Sequence, residues 1–119
     1  MLVIVATPAM ARLEGFTKGL LGSGAEVVHA RSGMAALEMA KARAPSLVVV
    51  DGDLPDFRPF ELVKELTRVN AFINSAVVSA LPPDQFHEDA EGLGVLSQIA
   101  AHPVEQDALD VMATLKRVL

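Results

Sequence analysis

Leu47-Val48-Val49-Val50-Asp51 runs straight into Gly52-Asp53-Leu54-Pro55-Asp56. A short β-branched run bounded by turn residues reads as a strand buried on both faces, the signature of a parallel sheet. Asp51 stands where that strand leaves the core. In an open parallel sheet, ligands bind in the crevice outside the carboxyl ends of the strands. The residues that reach the same edge therefore decide what Asp51 can do.

Toward the N-terminus, Leu2 to Val5 forms a first strand. Thr7-Pro8 then looks like an N-cap followed by proline at the first helical position. Met10, Leu13, Phe16, Leu20 and Leu21 follow at helical spacing, up to Gly22. Ala25 to Ala30 is a second strand, shorter and more polar. Ser32 caps a helix carrying Met34, Leu37 and Ala40 or Lys41, which ends before Pro45. Beyond Asp51, Pro59-Phe60-Glu61 opens a third helix with Leu62, Leu66 and Val69 on its apolar side. Ala76 to Val78 is a fourth strand, and Pro82-Pro83-Asp84 opens a fourth helix running to about Gly92. Val95 to Ala101 holds a fifth strand. The last helix has the clearest stripe: Val104, Ala108, Val111, Met112, Leu115, Val118 and Leu119.

Strands alternating with helices require right-handed crossovers and a parallel sheet covered on both faces. The expected fold is a flavodoxin-like (βα)5 α/β sandwich of three layers, with strand order 2-1-3-4-5, built from residues 1–119 as one domain.

Composition agrees. Hydrophobic residues make up 51% of 119 residues and aromatics only 4%, all phenylalanine. Mean hydropathy is +0.38. A core of Ala, Val and Leu suits helices on a sheet better than an all-β sandwich. Apolar runs are too short to span a bilayer, and Met1 to Val5 reads as a strand rather than a signal peptide. The absence of cysteine rules out disulfides and thiolate chemistry and suits a cytoplasmic protein. The net charge of −5, with Lys and Arg scattered, argues against direct nucleic-acid binding.

The topology gathers Ala6 and Thr7 after strand 1, Asp51 and Asp53 after strand 3, Ser79 and Ala80 after strand 4, and His102-Pro103 after strand 5. With Leu54-Pro55 and Phe60-Glu61-Leu62, this constellation resembles the receiver domain of bacterial two-component response regulators along essentially the whole chain. The resemblance implies a phosphoacceptor at Asp51, supplied by a histidine kinase. It implies Mg²⁺ held by Asp51, by an acidic pair after strand 1 and by the carbonyl of Asp53. It implies phosphate contacts at Ser79 and at the position of His102, and an aromatic switch at the position of Ile99. A cis peptide before Pro103 is implied as well.

The chain departs from that pattern. Ala6 and Thr7 replace the acidic pair, leaving Asp51 and Asp53 as the only candidate metal ligands, so no Mg²⁺ or other cofactor is expected. His102 replaces a lysine, and Ile99 has no ring to swing. The reading is a degenerate, or pseudo-, receiver: not an enzyme, but a signalling module acting by protein contact. Its expected partner is another protein, with a histidine kinase among the candidates, or a second copy, through the face of the fourth helix, fifth strand and fifth helix. No output domain follows Leu119 in this sequence, which also points to contact.

Each candidate has a plain reading beside the sharp one. Asp51 is either a relic held by Ser79 or turn amides, or a residual phosphoacceptor, which would make the chain a genuine phosphorelay receiver. His102 is either a crevice imidazole or an ion-pair partner of Asp51. Asp84, Glu88, Asp89 and Glu91 around His87 are either a solvated face or a docking patch. His29 reads as an exposed residue on an edge strand. A small flavodoxin-like enzyme or ligand-binding protein is the remaining alternative. It lacks a glycine-rich phosphate loop, a nucleophile elbow and a stacking aromatic.

Overall fold

The computed structural model describes residues 1–119. Five parallel strands, β1 (Leu2–Ala6), β2 (Glu26–Ala30), β3 (Leu47–Asp51), β4 (Asn74–Val78) and β5 (Val95–Ile99), lie in the order 2-1-3-4-5. The expected fold is the one observed. β3 sits between β1 and β4, with Val50 beside Ala6 and Asp51 beside Val78. Every residue of β1 and β3 is buried, as an apolar run flanked on both faces requires.

The helices are α1 (Glu14–Gly22), α2 (Gly33–Ala42), α3 (Pro59–Val69), α4 (Pro83–Ala90) and α5 (Glu105–Val118). The side chains of each central strand alternate between two cores. Val3, Val5, Leu47 and Val49 face α1 and α5 together with Phe16, Leu20 and Leu115. Ile4, Val48 and Val50 face α2 and α3 with Leu37, Leu62 and Leu66. Burying each such side chain contributes about 1.5–3 kcal/mol. The two cores together fix the level at which the strands end, and hence the height of Asp51.

Several local expectations are revised. The chain after β1 does not enter an α-helix at Pro8; a 3₁₀ turn, Met10–Leu13, comes first, and α1 begins at Glu14. Thr7 is drawn into the core instead of capping a helix. In α2 the buried face is Ala36, Leu37 and Ala40, while Met34 is exposed. In α5 the buried stripe is Ala108, Val111, Met112 and Leu115; Val104, Val118 and Leu119 face solvent. β5 stops at Ile99, two residues short of the expected end. Its pairing with β4 is irregular between Ser75 and Ala76. Ser32 caps α2 as expected, its hydroxyl accepting from the Ala35 amide at 3.1 Å, and Pro59 opens α3.

A second contact at the start of α2 positions the loop that follows Asp51. The Asp56 carboxylate accepts from the amides of Gly33 (2.9 Å) and Met34 (3.0 Å). A carboxylate at a helix N-terminus satisfies otherwise unpaired amides and meets the positive end of the helix dipole. Although desolvation works against it, these amides hold the Asp56 carboxyl below its ordinary pKa. The approach is so close that a Cβ on Gly33 would lie 2.3 Å from the Phe57 ring.

Candidate functional site

Asp51 is 1% exposed at the floor of a cleft of about 570 Å³. Burying a carboxylate is unfavourable unless it is paired and hydrogen-bonded. Three partners meet that requirement. The Thr7 hydroxyl donates to Oδ2 at 2.6 Å, the Asp53 amide donates to Oδ1 at 3.0 Å, and the Arg12 guanidinium forms an ion pair with Oδ2.

The partners are held in turn. Thr7 is fully buried, and its hydroxyl also accepts from the Ala9 amide at 3.1 Å. Its carbonyl receives the Nε2 hydrogen of His29 at 2.8 Å, which fixes that imidazole's proton on Nε2. His29, expected to be exposed, is half-buried. Arg12 projects from the 3₁₀ turn. Its other guanidinium nitrogen, Nη1, donates to the Ala101 carbonyl at 3.1 Å, so one side chain joins the segment after β1, the end of β3 and the turn before α5.

Burial is the largest influence on the Asp51 carboxyl and pushes its pKa up. The Thr7, Arg12 and Asp53 hydrogen bonds, with the Arg12 charge, outweigh burial, so the group is held below its ordinary value. Asp51 is therefore a carboxylate with both oxygens engaged.

Gly52 lets the chain turn beside β4. Its amide donates to the Val78 carbonyl at 2.9 Å, and a Cβ there would lie 2.9 Å from the same oxygen. Asp53 follows, exposed, and its side chain makes no hydrogen bond or ion pair.

Ser79 lines the cleft with Asp51 but does not bond to it; its hydroxyl accepts from the Leu81 amide at 3.1 Å. Ala6 is buried against α2, and Thr7 beside it takes the contact with Asp51. Ile99 is 2% exposed in the core facing α1 and α5. The β5 side chain that reaches the turn after β4 is Gln98, whose Nε2 donates to the Ser79 carbonyl (3.1 Å) and the Leu81 carbonyl (2.9 Å). His102 is exposed and makes no bond to Asp51. The Asp51–His102 pair is thus corrected to Asp51–Arg12, because the 3₁₀ turn aims the longer side chain into the cleft. The bond before Pro103 is trans, as are all peptide bonds in the chain.

Part of the cleft lining is apolar. Phe60 of α3 lies edge-on to Phe86 of α4, ring centres 5.4 Å apart, and Leu81 and Pro82 extend that wall. Arg58 and Asp89 stand at its rim. No three His, Asp or Glu side chains are grouped to hold a metal ion. No helix is long and apolar enough to cross a membrane.

Sequence reasoning singled out Asp51 and missed Arg12, whose signal was faint. An arginine four residues past a Thr-Pro pair, on a segment leading away from the same sheet edge, was the only cue.

No protein-family model and no curated protein sequence matches the chain. Solved structures do. A CheY-like response regulator receiver domain protein from Methanospirillum hungatei superposes with a TM-score of 0.84 at 18% identity, covering 98% of this chain and 94% of that one. The signal receiver domain of the putative response regulator NarL from Mycobacterium tuberculosis gives 0.82 at 22% identity, covering 97% and 95%. The chemotaxis response regulator CheY4 of Vibrio cholerae gives 0.76 at 20% identity, covering 99% and 98%. At such identities the likeness is one of fold: the chain folds as receiver domains do.

Proposed function

We propose that this chain is a receiver-type module of two-component signalling that works through protein contact in the cytoplasm, without Mg²⁺-dependent phosphorylation and without enzymatic activity of its own. The fold shared with receiver domains supports the class. The departure from ordinary chemistry is carried by one observation, the Arg12 guanidinium seated on Asp51.

Phosphoryl transfer to a carboxylate needs a free oxygen as nucleophile and cations that neutralise the transferring group. In this chain Oδ2 is bonded by a hydroxyl and a guanidinium, and Oδ1 by an amide. A hard divalent cation wants several oxygen ligands, one or two of them carboxylates, with nothing cationic beside them. Beside Asp51 it would meet the hydroxyl of Thr7, the positive charge of Arg12 and one further carboxylate, that of Asp53. The residues do not fit Mg²⁺. Arg12 supplies the charge that a metal would otherwise supply, and supplies it permanently.

The contact surface in this reading is the face of α4, β5 and α5, engaged by a protein partner. The rival reading, phosphorylation at Asp51, draws on the cleft that opens above the carboxylate. In that event an Asp51 oxygen attacks phosphorus, a new P–O bond forms, and the bond to the leaving group breaks with its electron pair. Incubation with acetyl phosphate and Mg²⁺, followed by intact mass measurement, separates the two. No adduct is expected. A gain of about 80 Da, the mass of one phosphoryl group, that disappears in Asp51→Asn would overturn the proposal and establish the rival.

A further inference from the structure

β5 is an edge strand: it pairs with β4 on one side and with nothing on the other. No other segment of the chain hydrogen-bonds to residues 95–98 from outside the sheet. Four of its five residues are only partly buried. Unpaired strand edges are templates for another chain, and proteins commonly shield them with charge.

The charge around this edge is mainly negative, with Arg117, which donates to Thr114, the cation nearest the α5 side. After residue 69 the chain carries seven carboxylates against two cations, Lys116 and Arg117, while residues 1–69 carry eight of each; the whole net charge of −5 belongs to this half. Two grooves flank β5. One, of about 550 Å³, lies toward α4 between Phe86, Ala90 and Val95, with Glu91 and His87 on its wall. The other, of about 140 Å³, lies toward α5 and is lined by Asp107, Asp110 and Thr114. Ser97 and Gln98 belong to both. The strand thus offers free backbone groups between two carboxylate-bearing walls, one of them backed by apolar surface.

We infer that the outer edge of β5 docks an extended basic segment of another protein, its backbone pairing with Val95–Gln98 and its Lys or Arg side chains meeting Glu91 on one side and Asp107 and Asp110 on the other. Strand addition derives affinity from main-chain hydrogen bonds and specificity from alternate side chains. A second copy is the wrong occupant. Symmetric pairing would set Glu91, Asp107 and Asp110 against their own images, and like charges facing across strands destabilise. The inference rests on reading the domain as a contact module and concerns a surface that does not include Asp51.

The test titrates the ¹⁵N-labelled chain with the peptide Ac-KVKVKVKV-NH₂ and, separately, with Ac-EVEVEVEV-NH₂. The lysine peptide should shift amide resonances of residues 95–98 and the groove walls, more weakly as salt rises from roughly 50 to 300 mM. The double variant Glu91→Lys/Asp110→Lys, altered only at exposed positions, should bind it about tenfold less tightly. An unresponsive β5, equal binding of the glutamate peptide, or shifts confined to another face would overturn the inference. So would β5 shifts produced by concentrating the chain alone, since a second copy would then be the occupant. The acetyl phosphate experiment reads Asp51 and this titration reads β5, so failure here and failure of the contact-module reading remain distinct results.

Discussion

Arg12 and Asp51 form the one ion pair of this chain that has a buried member; Asp51 is 1% exposed and Arg12 28%, whereas both members of the other three pairs lie well exposed to solvent. Exposed pairs contribute little to stability. A buried carboxylate stripped of its cation is a different matter, because the uncompensated charge must stay desolvated or take up a proton.

Arg12→Ala is accordingly expected to lower stability by about 2–3 kcal/mol, less than the ~3–5 of a wholly buried pair because water still reaches part of the guanidinium. Asp51→Asn should lose less, since the amide oxygen can still accept from Thr7. The double variant should fall short of the sum of the two losses, as coupled sites do. Urea titration of the three variants checks this. Equal losses for Arg12→Ala and for an exposed arginine such as Arg68→Ala would contradict the pairing.

Acid should destabilise the chain partly through the same residue. The folded-state pKa of Asp51 is lowered, so its contribution is present above the unfolded-state value, roughly pH 4. It is lost as pH falls through the depressed folded value. Asp56 acts in the same sense. Melting temperature should fall steeply below about pH 4, and the fall should be shallower in Asp51→Asn. An unchanged acid limb in that variant would remove Asp51 from the account.

His102→Ala should leave stability within about 0.5 kcal/mol of the parent, as a surface substitution does. The imidazole is exposed and bonds to nothing at the site. A loss comparable to that of Arg12→Ala would restore the pairing that the sequence suggested.

Gly33→Ala should reverse the usual sign of a glycine-to-alanine change in a helix. Alanine normally gains up to ~1 kcal/mol there. Here its Cβ would lie 2.3 Å from the Phe57 ring and 3.2 Å from an Asp56 carboxylate oxygen. A net loss of about 1–3 kcal/mol is expected from overpacking. Phe57→Ala should recover part of it in the double variant. Thermal melts decide it, and a gain for Gly33→Ala would refute the close contact.

The sheet order was legible because period-2 and period-3.6 patterns alternate cleanly and the β3 run is apolar from end to end. Asp51 was legible for the same reason, as the first charge after that run. Its partners were not. Thr7 reads as a helix cap, and nothing in a Thr-Pro pair announces that the hydroxyl turns inward once a 3₁₀ turn replaces the first α-helical turn. Arg12 is a long side chain whose direction depends on that turn. His102 is conspicuous in the sequence beside Pro103, yet its side chain is exposed to solvent. The contact of Gln98 with the turn after β4 was not legible either, nor was the register shift at Ser75 and Ala76.

The loop after Asp51 is fastened at both ends, at Asp53 to the carboxylate and at Asp56 to the first amides of α2. Such a loop behaves as a tie-bar of fixed length. It cannot follow a group arriving at Asp51 without uncapping a helix on the opposite flank from β5. The same carboxylate that closes the loop is therefore the one that caps α2, beside the exposed Met34.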